Sequence, residues 1–246
     1  MSVLAVIPAR YGSTRFPGKP LATLGGKPMI QHVYERAARA KGVREVVVAT
    51  DDQRIADAVK GFNGVAVMTS PAARSGTERA AEVARKRRDQ VVISIQGDEP
   101  LIEPDMVEQL AEYLGRHGAV PMASLMKPLD SDAEGGNPNV VKVVVDRDGF
   151  ALYFSRAPIP FVREAARQPR PRFYKHLGIY GYQRHFLLQF PALEPTTLEA
   201  LEQLEQLRAL EHGYRIKLLE TVHDTIGVDT PEDLAKAETR LLARAR

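Results

Sequence analysis

VLAVIPARYGSTRFPGKP, residues 3–20, opens on five apolar residues and breaks into a loop carrying Arg10, Arg15 and Lys19 among Gly12, Ser13 and Gly18. Five apolar residues in a row offer no polar face to water. Residues 3–7 therefore read as a strand buried on both sides, the pattern of a parallel sheet covered by helices. In such sheets ligands gather beyond the C-terminal ends of the strands, so the loop at 8–20 is the first candidate site. Its glycines let backbone amides approach a ligand closely. Three fixed cations can neutralise a triphosphate, the two arginines through paired donors. Pro20 follows the Gly-Lys pair where a Walker loop needs Ser or Thr, and the glycine spacing is not that of a dinucleotide fingerprint. The alternative for these cations is a solvated surface loop.

Outward from this stretch the first half alternates. Residues 29–41 have helical spacing, with Ile30, Val33, Ala37 and Ala40 on one side. Apolar runs at 45–49, 65–68 and 91–95 are separated by helical patterns at 52–60 and 77–88, and a further helix starts at Pro104. This predicts a mostly parallel, Rossmann-like α/β sheet flanked by helices. The loop after 91–95 is then a second candidate site. The second half departs from that rhythm. Runs at 140–145 and 151–154 flank the turn Asp146-Arg147-Asp148-Gly149, a hairpin pattern. Pro158, Pro160, Pro169 and Pro171 break up the next stretch of chain. A return strand is predicted at 178–182, a long helix at 195–212 on Leu198, Leu201, Leu204, Leu207 and Leu210, and a last strand at 216–219. Pro231 opens a terminal helix at its first position, where the missing N–H costs nothing. The whole reads as one domain over 1–246, with a smaller β-containing insertion at about 139–174.

Composition narrows the function classes. With 246 residues, 44% hydrophobic and 26% charged, the chain is an ordinary soluble domain with ample core. No apolar run approaches the roughly 20 residues of a membrane span. The N-terminal stretch lacks a basic n-region and reads as a first strand, not a signal peptide. There are no cysteines, which removes disulfides, thiolate metal sites and Cys nucleophiles, and a cytoplasmic protein is expected. The net charge of +3 raises nucleic-acid binding. However, the densest basic run, 85–88, sits at a helix end beside Glu82 and Asp89, and no basic strand carries aromatics for base stacking. A phosphate-rich small molecule accounts for the excess equally well.

The opening IPARYGSTRFPGKPL (7–21) resembles that of bacterial CMP-Kdo synthetases, the 3-deoxy-manno-octulosonate (Kdo) cytidylyltransferases. The likeness continues through GKPMI (26–30), VATDD (48–52), SGTER (75–79), QGDEP (96–100), NPNVVKVV (137–144), ALYFSRAPIP (151–160), HLGIYGY (176–182), LEQLR (204–208) and GVDTPEDL (227–234). Ten blocks in the family's order span nearly the whole chain, although 161–174 matches poorly. The resemblance implies a nucleotidyltransferase that joins CTP to Kdo and releases pyrophosphate, for lipopolysaccharide precursors. It implies small-molecule partners only, with no nucleic acid and no membrane, and a homodimer formed through the region at about 139–174. Another acidic sugar, amino-Kdo or sialic acid, is the alternative.

Attack by a sugar hydroxyl on the α-phosphorus requires charge neutralisation and in-line geometry more than covalent help. Magnesium supplies these, preferring one or two carboxylates plus phosphate and water oxygens. Asp98 lies just past the apolar run 91–95, where a carboxylate can meet a metal; its neighbour Glu99 competes, but adjacent residues on extended chain face opposite sides. The resemblance names Asp229 as the second magnesium ligand and adds Arg10 and Lys19 to the catalytic set. An N-cap role is the alternative for Asp229, two residues before Pro231. For the nucleotide the resemblance implies the backbone of Pro8 and Ala9, with Arg10, Ser13, Arg15, Lys19, Arg74, Ser75, Gln96 and Asp98. Arg79 reads equally as a helix-surface residue. For the sugar it implies Arg156, His176, Tyr180, Glu205 and Gln206. Arg156 suits the Kdo carboxylate, His176 also reads as a core histidine, and Glu205 and Gln206 also read as helix-surface polarity.

Overall fold

The computed structural model describes residues 2–12, 16–129, 131–163 and 172–244. β1 (Val3–Ala9) is the buried strand expected, and its chain then turns through a short 3-10 segment, Lys19–Leu21. A small hairpin, β2 (Thr23–Leu24) and β3 (Lys27–Pro28), leads into α1 (Met29–Ala37). The alternation continues with β4 (Val43–Thr50), α2 (Gln53–Gly61), β5 (Ala66–Met68), α3 (Gly76–Arg85), β6 (Val91–Ser94) and α4 (Pro104–Arg116). Helix starts follow local chemistry. Asp52 caps α2 by accepting from the Arg54 N–H, and Ser75 caps α3 by accepting from the Glu78 N–H.

The second half contributes β7 (Met122–Pro128), α5 (Asp132–Gly136), β8 (Lys142–Val145), β9 (Ala151–Ser155), β10 (Tyr174–Gln183), α6 (Arg184–Gln189), α7 (Thr197–Glu202), α8 (Gln206–Glu211), β11 (Ile216–Glu220) and α9 (Pro231–Arg244). The sheet order is β11-β7-β10-β6-β1-β4-β5. β1 runs parallel to β4 and β6, β4 to β5, and β11 to β7; β10 is antiparallel to both β6 and β7. The fold is thus the α/β sheet expected, mostly parallel, with β10 reversed within the run of seven strands. The β8–β9 hairpin pairs antiparallel and is stitched to β10, and Phe154 of β9 is fully buried in the main core. Helices cover both faces. One apolar layer holds Ile30, Val33, Met106 and Leu110 from α1 and α4. The other holds Ala80, Val83, Phe186 and Leu207 from α3, α6 and α8.

The long helix expected at 195–212 is two short ones. Thr196 and Glu199 form a capping box at the start of α7, and Gln203 turns left-handed at φ 54° between α7 and α8. The cause is legible in the spacing. Leucines every third residue drift around a helix of 3.6 residues per turn, so one straight rod cannot keep Leu198 through Leu210 on one face. Breaking the rod turns Leu204 and Leu207 into the core and leaves Leu201 76% exposed. The return strand β10 is also longer than the expected 178–182.

Candidate active site

The loop ends of β1 and β6 meet at the C-terminal edge of the sheet. A Cβ on Gly97 would lie 2.9 Å from the Pro8 carbonyl oxygen, so only glycine lets the two loops approach this closely. Lys19 reaches the same place from a turn in which Gly18 has φ 72° and rests on the Tyr11 ring, and the Gly18 N–H donates to the Tyr11 carbonyl at 2.9 Å. These loops and the start of α3 enclose a cavity of about 370 Å³, within the range of small-ligand clefts. Pro8, Ala9, Arg10, Lys19, Arg74, Ser75, Gln96, Asp98 and Asp229 all line it. Ser13 and Arg15 lie outside the described residues.

Two carboxylates from opposite ends of the chain converge here. The Lys19 ammonium donates to Asp98 Oδ2 at 2.6 Å and to Asp229 Oδ1 at 3.1 Å. The N-cap alternative for Asp229 does not hold. Thr230 takes that position: its hydroxyl accepts from the Asp233 N–H at 3.2 Å, while the Asp233 carboxylate accepts from the Thr230 N–H. Asp98 is no cap either, since α4 is preceded by Glu103. One cation already sits between both carboxylates, so the geometry fits a metal that takes two carboxylates and fills its shell with phosphate and water. Among the described residues no group of three or more His, Asp or Glu side chains is gathered to hold a metal. The nucleotide's phosphates would have to complete the shell.

Arg74 stands at the cavity mouth and pairs with Glu78 at 2.8 Å. Arg79 is not on the helix surface. It is 5% exposed, donates to Asp51 at 2.7 Å and Thr69 at 2.8 Å, and lines the cavity. The SGTER block carries that signal, but helical spacing alone cannot separate an inward from an outward arginine.

A second cavity, about 650 Å³, adjoins the first and shares Gln96, Asp98 and Asp229 with it. Arg156, His176, Tyr180 and Gln206, four of the five residues the resemblance implies for a sugar, line it together. Glu205 does not. It turns into the groove beside Arg74 and Ser75, where its carboxylate accepts from the Thr77 hydroxyl at 2.5 Å. The helix break explains the separation, because Gln206 opens α8 toward the cavity while Glu205 sits in the turn before it. Gln206 is buried, which sets aside surface polarity for that residue.

Burial governs the titratable groups of this cavity. It pushes the His176 imidazole down to about 3, so the ring is neutral at pH 7. Ser124 Oγ lies 2.8 Å from His176 Nε2 and donates toward the carbonyls of Leu177 and Ile179. With the hydroxyl proton so engaged, Nε2 carries the ring proton and Nδ1 is left as an acceptor. Burial likewise raises the Tyr180 phenol well above its usual range and keeps it a donor. Burial, with Asp98 beside it, raises the Glu99 carboxyl to about 8, against a hydrogen bond from Thr225.

Two buried lysines stand in or behind the wall of this cavity; Lys142 falls within the NPNVVKVV block, but nothing in the sequence marks either as a site residue. Lys142 is fully buried and donates to the carbonyls of Asn137, Val140 and Arg156 at 2.9, 2.6 and 2.6 Å; burial, and Arg156 beside it, lower its pKa. Lys175 bridges Glu134 and Asp224 at 2.9 Å each. Burial opposes its charge, but the two carboxylates outweigh burial and raise its pKa. Both lie in strands, where alternation points to burial but not to a charged partner. The Arg156 guanidinium donates to the carbonyls of Glu202, Pro138 and Gln203, and among the described residues no carboxylate lies within ion-pairing distance of it. Three of its five N–H donors are thereby engaged, leaving two for a ligand.

The cytidylyltransferase family matches residues 4–217. A 3-deoxy-manno-octulosonate cytidylyltransferase of Geobacter sulfurreducens is 52% identical, over 98% of this chain and 100% of its own length. An 8-amino-3,8-dideoxy-manno-octulosonate cytidylyltransferase of a Shewanella species is 54% identical over 98% of this chain and 99% of its own. Among solved structures, a CMP:2-keto-3-deoxy-manno-octonic acid synthetase in complex with CTP superposes with a TM-score of 0.94 at 47% identity, covering all of both chains. A 4-diphosphocytidyl-2C-methyl-D-erythritol synthase of Anaerococcus prevotii shares the fold, with a TM-score of 0.65 at 13% identity over 98% of each chain.

Proposed function

The chain belongs to the cytidylyltransferase family, and on that premise we propose that it couples CTP to Kdo, forming CMP-Kdo and releasing pyrophosphate. One observation carries the reading. Asp98, Asp229 and Gln96 stand on the wall common to two cavities, one lined by cationic and glycine loops and the other by Arg156, His176 and Tyr180. The α-phosphate and the sugar hydroxyl would meet at that wall.

In this reading Arg10 and Lys19 neutralise the phosphates, and the backbone of Pro8 and Ala9 with Gln96 seats the cytidine. A Gln amide offers both a donor and an acceptor, which cytosine needs. Arg74 reaches the nucleotide on leaving Glu78. Magnesium would be held by Asp98 and Asp229; when bound it neutralises phosphate charge and acidifies the attacking hydroxyl. Neutral His176 and protonated Tyr180 orient the sugar through hydrogen bonds, and Arg156 takes its carboxylate through the two remaining donors. Glu205 holds α3 through Thr77 at the rim of the nucleotide cavity. A cytoplasmic location, where CTP is made, suits this reading, and no helix among the described residues is long and apolar enough to cross a membrane.

Relatives of near-equal identity act, by their names, on Kdo and on its 8-amino form, so the amino sugar is the second reading. Pyrophosphate release from CTP and magnesium, measured with Kdo, amino-Kdo and sialic acid, decides among them. A kcat/KM highest for Kdo supports the first reading, and turnover of sialic acid alone overturns both.

Arg156→Ala raises the KM for the sugar about 10- to 100-fold, the cost of leaving a buried carboxylate without its charged partner, and hardly changes the KM for CTP. Lys at this position recovers only part, since a point charge cannot form the paired contact. Steady-state kinetics with each substrate varied in turn, alongside thermal melting, tests this. Equal losses for both substrates with a lowered Tm would mean that Arg156 serves only to bind the carbonyls of Pro138, Glu202 and Gln203.

The homodimer is proposed on the region at about 139–174. Leu152 on β9 is 63% exposed and Phe161 beyond it 88% exposed, apolar area that a second copy would cover. Light scattering is expected to give about twice 27.2 kDa. A monomer at micromolar concentration would remove the dimer.

A further inference from the structure

A sugar cavity has to read hydroxyls, and each reader must be a polar atom that the protein itself leaves unpaired. Few such atoms exist. The buried side-chain atoms without a hydrogen-bond partner among the described residues include Glu99 Oε2 and Gln206 Nε2, and both residues line the second cavity. A protonated carboxyl and an amide can each hydrogen-bond a hydroxyl group. A buried polar atom without a partner costs about 1–3 kcal/mol, so a fold keeps it when a ligand supplies the missing bond.

The family resemblance already implies Gln206 at the sugar, whereas Glu99 enters the sequence reading only as a competitor of Asp98 for metal. The structure divides the two adjacent carboxyls. Asp98 bonds Lys19 and faces both cavities, while Glu99, 8% exposed, faces only the second. A Cβ placed on Gly178 would sit 3.5 Å from Glu99 Oε1, so the HLGIYGY strand leaves side-chain space empty beside this carboxyl.

We propose that Glu99 is a specificity-determining residue of the sugar site, its Oε2 hydrogen-bonded to a substrate hydroxyl. This rests on the Kdo reading above. The contact is made to the sugar and to neither metal nor nucleotide, so it acts on sugar affinity alone.

The test uses Glu99→Leu, which removes both oxygens, and Glu99→Gln, whose amide can still hydrogen-bond the sugar. Each is assayed by pyrophosphate release, with Kdo, amino-Kdo and sialic acid first tried on the wild type. With the sugar that the wild type uses, the Leu variant is expected to raise the sugar KM at least about tenfold, the size of a lost buried hydrogen bond. The KM for CTP and the magnesium half-saturation stay within about twofold, and the Gln variant recovers most of the loss. Monodeoxy analogues add a second readout. One of them is discriminated by the wild type and not by the Leu variant. A sugar KM within twofold of wild type in the Leu variant overturns the proposal. So does a rise in the magnesium requirement matching the loss, which would make Glu99 a metal-side group. A wild type that uses none of the three sugars defeats the Kdo reading, and the Glu99 inference with it.

Discussion

Asp98→Asn lowers kcat by about 10³-fold, roughly 4 kcal/mol of transition-state stabilisation, and leaves the protein folded. The size follows from position. Asp98 is carried by the loop after β6, pinned where Gly97 presses on Pro8, and its Oδ2 lies 2.6 Å from the Lys19 ammonium on the wall common to both cavities. Replacing the carboxylate by an amide halves the anionic charge that Asp98 and Asp229 together present to a divalent ion, and such ions bind weakly to a single carboxylate. Through the metal proposed there, it also weakens the positive charge that would steady the departing pyrophosphate, a loss of the order seen when one electrostatic group is deleted from other sites. Stability changes little, because the side chain is 31% exposed and its pairing with Lys19 is screened by water. Single-turnover measurements of pyrophosphate release, with thermal melting as control, test this. Near-normal turnover in the folded variant would remove Asp98 from the reaction.

How much of the fold and site is legible in the sequence depends on the kind of information each feature needs. The strands β1, β4 and β6 are readable because buried parallel strands are apolar without interruption. The loop after β1 is readable because three cations and three glycines or serines in thirteen residues have few other uses. The meeting of Asp98 with Asp229 is not readable from spacing, since 131 positions separate them and only the fold closes that distance; the family resemblance supplies the pairing. The break at Gln203 is hidden by a leucine repeat that looks helical until its period of three is set against 3.6. Glu205 and Gln206 show the limit most clearly. They are neighbours in one motif, yet the turn between α7 and α8 sends one to the groove beside Arg74 and Ser75 and the other to the cavity lined by Arg156 and His176. Buried Lys142 and Lys175 escape because sequence does not reveal which carbonyl or carboxylate waits in the core.

Lys19→Ala separates two affinities that would ordinarily fall together. Its ammonium, held by the Gly18 turn, is 13% exposed and bonds both Asp98 and Asp229. In the free chain it is therefore a cation that both carboxylates share, and a divalent ion must compete with it for the same oxygens. Binding of CTP offers the ammonium new partners, the phosphate oxygens, on a stem flexible enough to reach them. Removing it has two opposed consequences. Magnesium binds the nucleotide-free variant more tightly than the wild type, because two adjacent carboxylates lose the ammonium that competes for their oxygens. Turnover of CTP falls, with kcat/KM down about 100-fold, roughly 2.7 kcal/mol, as for deletion of one preorganised electrostatic contact. CMP, which lacks the outer phosphates, binds nearly as before. The Tm shifts only slightly, since the carboxylates are 31% and 45% exposed and water screens their repulsion. Calorimetric titration of magnesium into the free protein, set beside CTP kinetics and CMP binding, reads all three. Weaker magnesium binding together with equal losses for CTP and CMP would mean that the loop has collapsed, and that Lys19 holds the site's shape without meeting the phosphates.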